Sequence, residues 1–228
     1  MEAHLAFPEY EKIARSVHRP QPSAPANLQV IEESEARGEV AALYQHFRTH
    51  FGRPDVPGIL KCFATHPPLL RHMMDLSESL IFAEGHLTRR HKEMIATLVS
   101  VQNECPYCTD SHAFFFRVQG GSADALCAIK DCELESHSLT RPEQALLAFA
   151  RQVNSSSSEI RRPDIEELRN EGWSEAQVAE AVHVAALFST FNRVANAFGL
   201  KPQGLLAMYE SESGTVHSPG VTHERSPA

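Results

Sequence analysis

Apolar residues recur along this chain at the three- and four-residue spacing of α-helices. In the segment 34–51 they fall on one helical face, formed by Val40, Leu43, Tyr44 and Phe47. No stretch alternates apolar and polar residues for long enough to make a half-buried strand. The hydrophobic pattern therefore predicts an all-α fold.

Capping residues mark several helix starts. The predicted helices are, in order, 34–51, 67–82, 89–102, 106–118, one beginning at Ser122, 140–151, 163–171 and 174–198, with a last turn at 205–209. Thr88 caps the third of these, and Thr140 and Ser174 each open a capping box. The helix that begins at Pro67 has an apolar stripe formed by Leu69, Met73, Leu76 and Leu80.

The two ends of the chain lack this periodicity. Residues 1–30 are rich in proline and read as an extended N-terminal arm, with one short helix at 9–17. Residues 211–228 are rich in Ser, Pro and Gly, a composition typical of a loose C-terminal tail. We therefore expect one helical domain over residues 31–210 between an arm and a tail.

Composition narrows the function classes. The 228 residues carry a net charge of −8 and no basic patch, which argues against nucleic-acid binding. No apolar run approaches the length of a membrane span, and the first ten residues do not read as a secretory signal. We expect a cytoplasmic protein. No flavin, haem or nicotinamide motif is visible, so we expect no cofactor.

The five cysteines differ in their surroundings. An odd number in a cytoplasmic chain argues against a structural disulfide framework. Cys62, Cys127 and Cys132 lie among apolar residues and are expected to be small, buried core side chains. Cys105 and Cys108 flank Pro-Tyr beside polar residues and are the better candidates for chemistry.

The run from Glu104 to His112 carries the strongest chemical signal. If Pro106 opens a helix, Cys105 lies at its N-terminal edge, while Cys108 and His112 lie one turn apart on one face. Unpaired N–H groups and the helix dipole stabilise a thiolate at such a position. The spacing is compatible with three roles: thiol redox chemistry, a zinc site with these three side chains as ligands, or a purely structural role.

The motif and its flanks resemble a known family. Leu87-Thr88-Arg89-Arg90-His91-Lys92-Glu93, then Cys-Pro-Tyr-Cys and His112, resembles the alkylhydroperoxidase D branch of the carboxymuconolactone decarboxylase superfamily. The segments 143–150, 168–174 and 191–196 resemble the branch called peroxidase-related proteins. The resemblance spans about residues 35–208. It implies a compact, all-helical alkylhydroperoxidase D-like bundle, assembled as homotrimers or hexamers.

The resemblance also implies roles for individual residues. Cys108 becomes the thiol that attacks a peroxide, Cys105 the resolving thiol and His112 the group that activates Cys108. Glu93 becomes the acid that works with His112 in a proton relay, although periodicity alone places Glu93 on a solvated face. Some family members have a His where this chain has Tyr107, whose phenol is too weakly acidic to act as a base near pH 7.

The leading hypothesis is a thiol-dependent peroxidase that reduces alkyl hydroperoxides through a Cys105–Cys108 disulfide. The disulfide must be reopened by a thiol reductant, which in the relatives is a lipoyl-type adaptor. Helical spacing suggests that the first turn has to adjust before the two sulfurs can bond. Two further hypotheses are a lactone-acting enzyme of the carboxymuconolactone decarboxylase type and a non-enzymatic thiol redox sensor.

Overall fold

Ten α-helices follow one another in the computed structural model, which describes residues 27–215 and their side chains through residue 212. No β-strand occurs within this range, and the predicted all-α class is confirmed. The short helix expected at 9–17 and most of the predicted arm and tail lie outside the described residues. The division into an arm, a domain over 31–210 and a tail stays a prediction.

The helix bounds agree with the predicted ones to within a few residues at most ends. The helices are α1 (Gly38–Phe51), α2 (Gly58–Lys61), α3 (Pro67–Ser77), α4 (Arg89–Gln102), α5 (Pro106–Val118), α6 (Ala123–Lys130), α7 (Arg141–Ser156), α8 (Arg162–Asn170), α9 (Glu175–Phe198) and α10 (Leu205–Thr215). A π-helical turn, Glu78–Phe82, continues α3, and a 3₁₀ turn, Ser157–Glu159, continues α7. Within the described range, no helix is both long and apolar enough to cross a membrane.

The predicted caps are present because each depends only on residues within one turn. The Thr88 hydroxyl accepts the His91 N–H at 3.3 Å and starts α4. Thr140 and Ser174 each form a complete capping box, at the start of α7 and of α9. Such caps satisfy N–H groups that have no partner inside the helix.

Helix α4 lies at the centre of the bundle. It packs against α5, α6, α7 and α9. Every residue from Lys92 to Ser100 is buried, including the charged Lys92 and Glu93. A helix surrounded on all sides has no solvated face, so its burial does not follow an amphipathic pattern.

Only half of the apolar stripe predicted for α3 lies on the core face, because Met73 is buried and Leu80 packs against the core. The helix buries Leu70, Met73 and Met74, whereas Leu69 and Leu76 are 39% and 41% exposed. Apolar residues lie on two sides of this helix, and the bundle covers only the side that carries Leu70 and Met74. The sequence pattern alone could not indicate which side faces the core.

The last helix is longer than the single turn predicted at 205–209. The Asp110 carboxylate of α5 accepts the backbone N–H groups of Gln203 at 2.9 Å and Leu205 at 3.1 Å, and so caps the start of α10. The Tyr209 ring packs edge-on against Phe114 of α5, with 5.8 Å between centroids. These contacts between distant segments stabilise α10 beyond its first turn.

The three cysteines expected in the core have different exposures. Cys62 is buried and Cys132 is half-buried, but Cys127 is exposed, which corrects the expectation for that residue. Helix α6 turns Leu126 and Ile129 towards the core, which leaves Cys127 on the outer face. The chain therefore carries an accessible thiol outside the Cys-x-x-Cys motif.

Candidate functional site

A short connection between α4 and α5 sets the position of the motif. Glu104 adopts a left-handed backbone conformation, with φ of 50°, which turns the chain sharply after α4. The Cys105 N–H then donates to the Ser100 carbonyl at 2.9 Å. The turn places the start of α5 directly against the buried middle of α4.

Cys105 and Cys108 face each other at the N-terminus of α5. Cys105 is the N-cap residue, with non-helical φ and ψ of −102° and 89°, and its sulfur accepts the Cys108 N–H at 3.4 Å. The two sulfur atoms lie 2.7 Å apart, and both side chains are buried. Because Cys105 stands outside the regular helix, the thiols meet without the adjustment of the first turn that helical spacing suggested.

The two thiols share a hydrogen bond and titrate as a coupled pair. The hydrogen bond from the Cys108 thiol lowers the pKa of Cys105, and this effect outweighs burial, which raises it. The pKa of Cys108 is raised, first by the same hydrogen bond, which holds its proton, and then by burial. The first negative charge of the pair therefore forms on Cys105, and Cys108 keeps its proton.

The structure also brings Glu93 and His112 together. One Glu93 carboxylate oxygen lies 2.6 Å from Nδ1 of His112, and the other accepts Nε–H of Arg89 at 2.6 Å. Glu93 has no exposed surface. Burial by itself would raise the pKa of Glu93, but the charges of Arg89 and His112 outweigh burial and lower it. The carboxylate therefore stays ionised and fixes the orientation of the imidazole.

A small apolar cavity of about 80 Å³ opens onto Cys108 and His112. Its walls are formed by five phenylalanines, Phe47, Phe51, Phe82, Phe188 and Phe191, together with aliphatic side chains of α2, α3 and the π-helical turn. Arg53 is the only Lys or Arg side chain among the residues that line it. Cys105 does not line this cavity but a shallower groove on the other side of α5. A molecule in the cavity would therefore meet Cys108 first.

Tyr107 lies between the two cysteines in sequence and lines the same cavity. Its phenol oxygen accepts the Ile59 N–H at 3.2 Å. Burial is the main cause that raises the pKa of Tyr107 above its ordinary value. The phenol therefore stays protonated at neutral pH and helps to close the cavity wall next to α2.

All four residues predicted from the sequence lie at this one place, between α4 and α5. Sequence reasoning missed Arg89 as part of the site, although its position four residues before Glu93 is a detectable ion-pair spacing. It also missed Asn192 of α9, a fully buried asparagine that lies 3.0 Å from Ser100 Oγ beside the motif. Among residues 27–215, no group of three or more His, Cys, Asp or Glu side chains has an arrangement that could hold a metal ion.

Comparison with known proteins gives one family match. The model of the carboxymuconolactone decarboxylase family matches residues 67–131, a segment that contains α4, the Cys-x-x-Cys motif and α5. No protein of curated function shows significant sequence similarity to the chain. The family match therefore covers the part of the chain that carries the candidate site.

Solved structures share the fold over most of the chain. A peroxidase-related protein from Ralstonia eutropha JMP134, described as an alkylhydroperoxidase AhpD core, is 24% identical with a TM-score of 0.72, covering 82% of this chain and 97% of its own. A peroxidase-related protein from Silicibacter sp. TM1040 is 26% identical with a TM-score of 0.70, covering 80% and 94%.

A third similar structure belongs to a protein with a different named activity. The debrominase Bmp8, in a complex with 2,3,4-tribromopyrrole, is 16% identical with a TM-score of 0.60, covering 84% of this chain and 98% of its own. At 16% identity, this match shows only that the two proteins share a fold. Together with the family match, the peroxidase-related structures confirm the resemblance predicted from the sequence.

Proposed function

We propose, from this resemblance to the alkylhydroperoxidase D-like branch of the carboxymuconolactone decarboxylase superfamily, that the protein is a thiol-dependent peroxidase. The observation that carries the proposal is a pair of buried thiols 2.7 Å apart, one of which faces an apolar cavity together with His112. A peroxidase of this kind needs a thiolate, a group that handles protons and a second thiol within bonding reach. In this proposal Cys108 becomes the thiolate, His112 handles the proton and Cys105 is the second thiol.

The reaction begins with a proton transfer inside the dithiol. The Cys105 thiolate takes the proton of Cys108 along the hydrogen bond that joins them. The Cys108 thiolate attacks the terminal oxygen of the hydroperoxide, an S–O bond forms, and the O–O bond breaks. The departing alkoxide takes a proton and leaves as the alcohol, with His112 as the nearby proton donor. Cys108 is now a sulfenic acid.

The second half of the reaction closes the disulfide. The Cys105 thiol attacks the Cys108 sulfur, an S–S bond forms, and the hydroxyl of the sulfenic acid leaves with the Cys105 proton as water. One hydroperoxide and two thiols thus give one alcohol, one water and one disulfide. An external dithiol then reduces the disulfide by exchange, and in the resembling family this reductant is a lipoyl-type adaptor.

The experiment that tests this proposal is peroxide turnover by reduced protein. We expect steady consumption of ethyl hydroperoxide with dithiothreitol as reductant, and loss of two protons from the Cys105–Cys108 peptide by mass spectrometry. Cys108→Ser should abolish consumption. Cys105→Ser should permit a single attack and leave a sulfenic acid on Cys108, detectable with a dimedone probe.

The matched control is Cys127→Ser, which removes an exposed thiol away from the site and should leave turnover unchanged. If Cys105→Ser blocked the first attack while Cys108→Ser did not, the two roles would be reversed. If neither substitution changed the rate, the peroxidase proposal itself would be wrong.

Reductive dehalogenation of an aromatic ring is a second candidate, favoured by the aromatic cavity wall. In this reaction a dithiol supplies two electrons, a carbon–halogen bond becomes carbon–hydrogen, and halide and a disulfide are released. The cavity of about 80 Å³ is roughly half the ~150 Å³ that holds benzene in an engineered protein cavity. We therefore favour small hydroperoxides over halogenated rings as substrates. Release of bromide from a bromopyrrole would favour dehalogenation instead.

The turnover assay also distinguishes a peroxidase from a lactone decarboxylase and from a redox sensor. A lactone decarboxylase of the kind that names the superfamily does not need neighbouring thiols, so its activity should survive Cys105→Ser. Excess dithiol also reopens the disulfide of a redox sensor, so a sensor differs from an enzyme in rate. Consumption of hydroperoxide that is many times faster than the reaction of free dithiol with the same hydroperoxide would argue against both.

A further inference from the structure

The two thiols of the motif border two different spaces. The apolar cavity of about 80 Å³ is lined by Cys108 and not by Cys105. A separate groove of about 520 Å³ is lined by Cys105 and not by Cys108. Cys105, Thr109 and Ala113 recur at four-residue spacing and so share one face of α5, whereas Cys108 and His112 share another. Each sulfur is therefore approached from its own side of α5.

The groove beside Cys105 has the size of a small-molecule site. Its volume of about 520 Å³ lies within the roughly 300–1,000 Å³ that is usual for ligand pockets. The apolar part of its wall is formed by Val101 at the end of α4, Pro106 at the start of α5 and Leu206 of α10. These walls suit a ligand with a short aliphatic part.

The charges that border the groove nearly cancel. Glu104 and Lys130 are both exposed and have opposite signs. Asp110 also lines the groove, but its carboxylate accepts the backbone N–H groups of Leu205 at 3.1 Å and Leu206 at 3.2 Å. The positive end of the α10 dipole therefore compensates the charge of Asp110. The groove thus favours a ligand without a strong net charge.

A dithiol that reduces the disulfide must reach one of its two sulfurs. A small dithiol such as dithiothreitol is larger than benzene, and the cavity beside Cys108 is about half of the ~150 Å³ that holds benzene in an engineered protein cavity. A thiolate displaces the leaving sulfur from the opposite side, so attack on Cys105 comes from the side away from Cys108. The groove lies on that side of α5.

The pKa values of the reduced pair would favour attack on the other sulfur. Attack on Cys108 releases Cys105, whose pKa is lowered, and a thiol of lower pKa leaves faster. However, the hydrogen bond and the charge of Cys105 are among the causes that raise the pKa of Cys108. Both disappear when Cys105 is bonded to a reductant, which makes Cys108 a better leaving group. Access to the sulfurs therefore decides between them.

We propose that the groove beside Cys105 is the site at which a small, uncharged dithiol reduces the protein, on the opposite side of α5 from the cavity that takes the hydroperoxide. This deepens the proposed function and rests on it only in taking Cys105 and Cys108 as the redox-active disulfide.

The exchange at this site has two steps. One thiolate of the reductant bonds to the Cys105 sulfur, the Cys105–Cys108 bond breaks, and Cys108 leaves with the electron pair. The second thiolate of the reductant then attacks the reductant sulfur of this mixed disulfide and releases Cys105. The reductant becomes a cyclic disulfide, two electrons pass to the protein, and the two protons lost by the reductant are matched by two gained by the protein thiols.

The first test compares how well each sulfur accepts a large reagent. Cys127 and Cys132 are replaced by Ser in every sample, and Cys62 stays silent because burial raises its pKa to about 12. Cys108→Ser then reports on Cys105, and Cys105→Ser reports on Cys108. Each thiol is reacted with methyl methanethiosulfonate, which is small, and with dipyridyl disulfide, which is large.

Both reagents are uncharged, and the ratio of the two rates at one thiol cancels differences in pKa between the thiols. We expect the ratio of the large to the small reagent to be at least about tenfold higher for Cys105 than for Cys108. Equal ratios, or a higher ratio for Cys108, would overturn the proposal.

The second test narrows the groove and measures reduction of the disulfide. Each protein is oxidised to completion with diamide, and dithiothreitol then reduces it. We expect Thr109→Trp to slow reduction by about tenfold or more, because the indole fills the groove. The matched control is Thr190→Trp on α9, since Thr190 is exposed and lines neither the groove nor the cavity. Its rate of reduction should equal that of wild type.

If Thr109→Trp does not fold, Leu206→Trp narrows the groove from α10 and should slow reduction in the same way. An unchanged rate in the groove variant, or an equal loss in Thr190→Trp, would contradict the proposed site. Neither test uses a hydroperoxide. The groove proposal can therefore fail while the peroxidase proposal stands, and the peroxidase proposal can fail while the groove proposal stands.

Discussion

The Glu93 carboxylate lies between a guanidinium and an imidazole, away from solvent. Removing a carboxylate from water costs free energy, and the hydrogen bonds from Arg89 and His112 offset that cost. Because the pKa of Glu93 is lowered, the carboxyl itself is a poor proton carrier at neutral pH. Its contribution is to fix the tautomer of His112 and to balance charge when the imidazole is protonated, as the acid of a catalytic triad does.

The lowered pKa of Glu93 makes a prediction about stability and pH. A carboxyl group whose pKa is lower in the folded than in the unfolded state adds stability above its unfolded pKa. That stability is lost as the pH falls through the pKa that the group has in the folded protein. The unfolding free energy of wild type should therefore exceed that of Glu93→Gln at pH 7, and the difference should shrink below about pH 4.3, the ordinary glutamate pKa.

Urea unfolding of both proteins at a series of pH values measures this difference. Glu143 and Glu180 also have a lowered pKa, but both are present in wild type and variant, so their effects cancel. A difference that stayed constant down to pH 3, or grew as the pH fell, would show that Glu93 is not held as an anion in the folded state.

Sequence reasoning reached four of the site residues and failed where burial depends on distant helices. Periodicity placed Glu93 on a solvated face, because it assumes one face for water and one for the core, and α4 has no face for water. The family resemblance corrected that expectation. Asn192 had no local signal, since its contact with Ser100 of α4 exists only after α9 packs against that helix.

At the scale of elements, a buried ion pair ties the start of α4 to α9. The Lys92 ammonium lies 2.8 Å from a Glu180 carboxylate oxygen, and the second oxygen accepts the Leu87 N–H at 2.7 Å. Lys92 also donates to the Ala83 carbonyl at 3.0 Å. A side chain at Gly85 would overlap the Glu180 carboxylate. The pair thus holds the 83–88 connection that positions Arg89 and Glu93.

We expect Glu180→Gln to destabilise the protein strongly. The substitution leaves the Lys92 ammonium, which has no exposed surface, without a counter-charge. Removal of one partner of a buried pair typically costs about 3–5 kcal/mol. Thermal or urea unfolding measures the loss, and peroxide turnover at low temperature should also fall, because the α4 residues of the site lose their support.

The matched control is Glu175→Gln on the same helix. Glu175 pairs with Arg169 at the surface, where its side chain is 73% exposed. An exposed pair is worth about 0–1 kcal/mol, so this variant should unfold almost as wild type does. Equal losses of unfolding free energy in the two variants would mean that the buried Lys92–Glu180 pair contributes no more to stability than the exposed pair does.

The helix starts could be predicted from the sequence where the capping residues lie within one turn of the start. The cap of α4 and the two capping boxes involve residues within one turn, so the sequence indicated them correctly. The buried side of α3 was predicted only in part, because apolar residues lie on two of its sides and only the assembled bundle selects one. The length of α10 was underestimated for a similar reason, since Asp110, which caps it, lies 95 residues before Leu205.

At the scale of the whole molecule, the side of α3 that the bundle leaves uncovered points to self-association. Leu69 and Leu76 are exposed and lie two turns apart on the same face. Large apolar residues clustered on a surface mark contact sites more often than single ones do. We propose that this face packs against another copy of the chain, in the homotrimer or hexamer that the family resemblance implies.

Light scattering at micromolar concentration tests this proposal. We expect a mass of three or six times the 25.3 kDa of one chain. The double variant Leu69→Asp with Leu76→Asp should lower the mass, because unpaired carboxylates in a closed interface are costly. Leu28→Asp is the control, since Leu28 is also exposed but lies outside α3. A wild-type mass near that of one chain would contradict the assembly, and an unchanged mass in the double variant would place the interface on another surface.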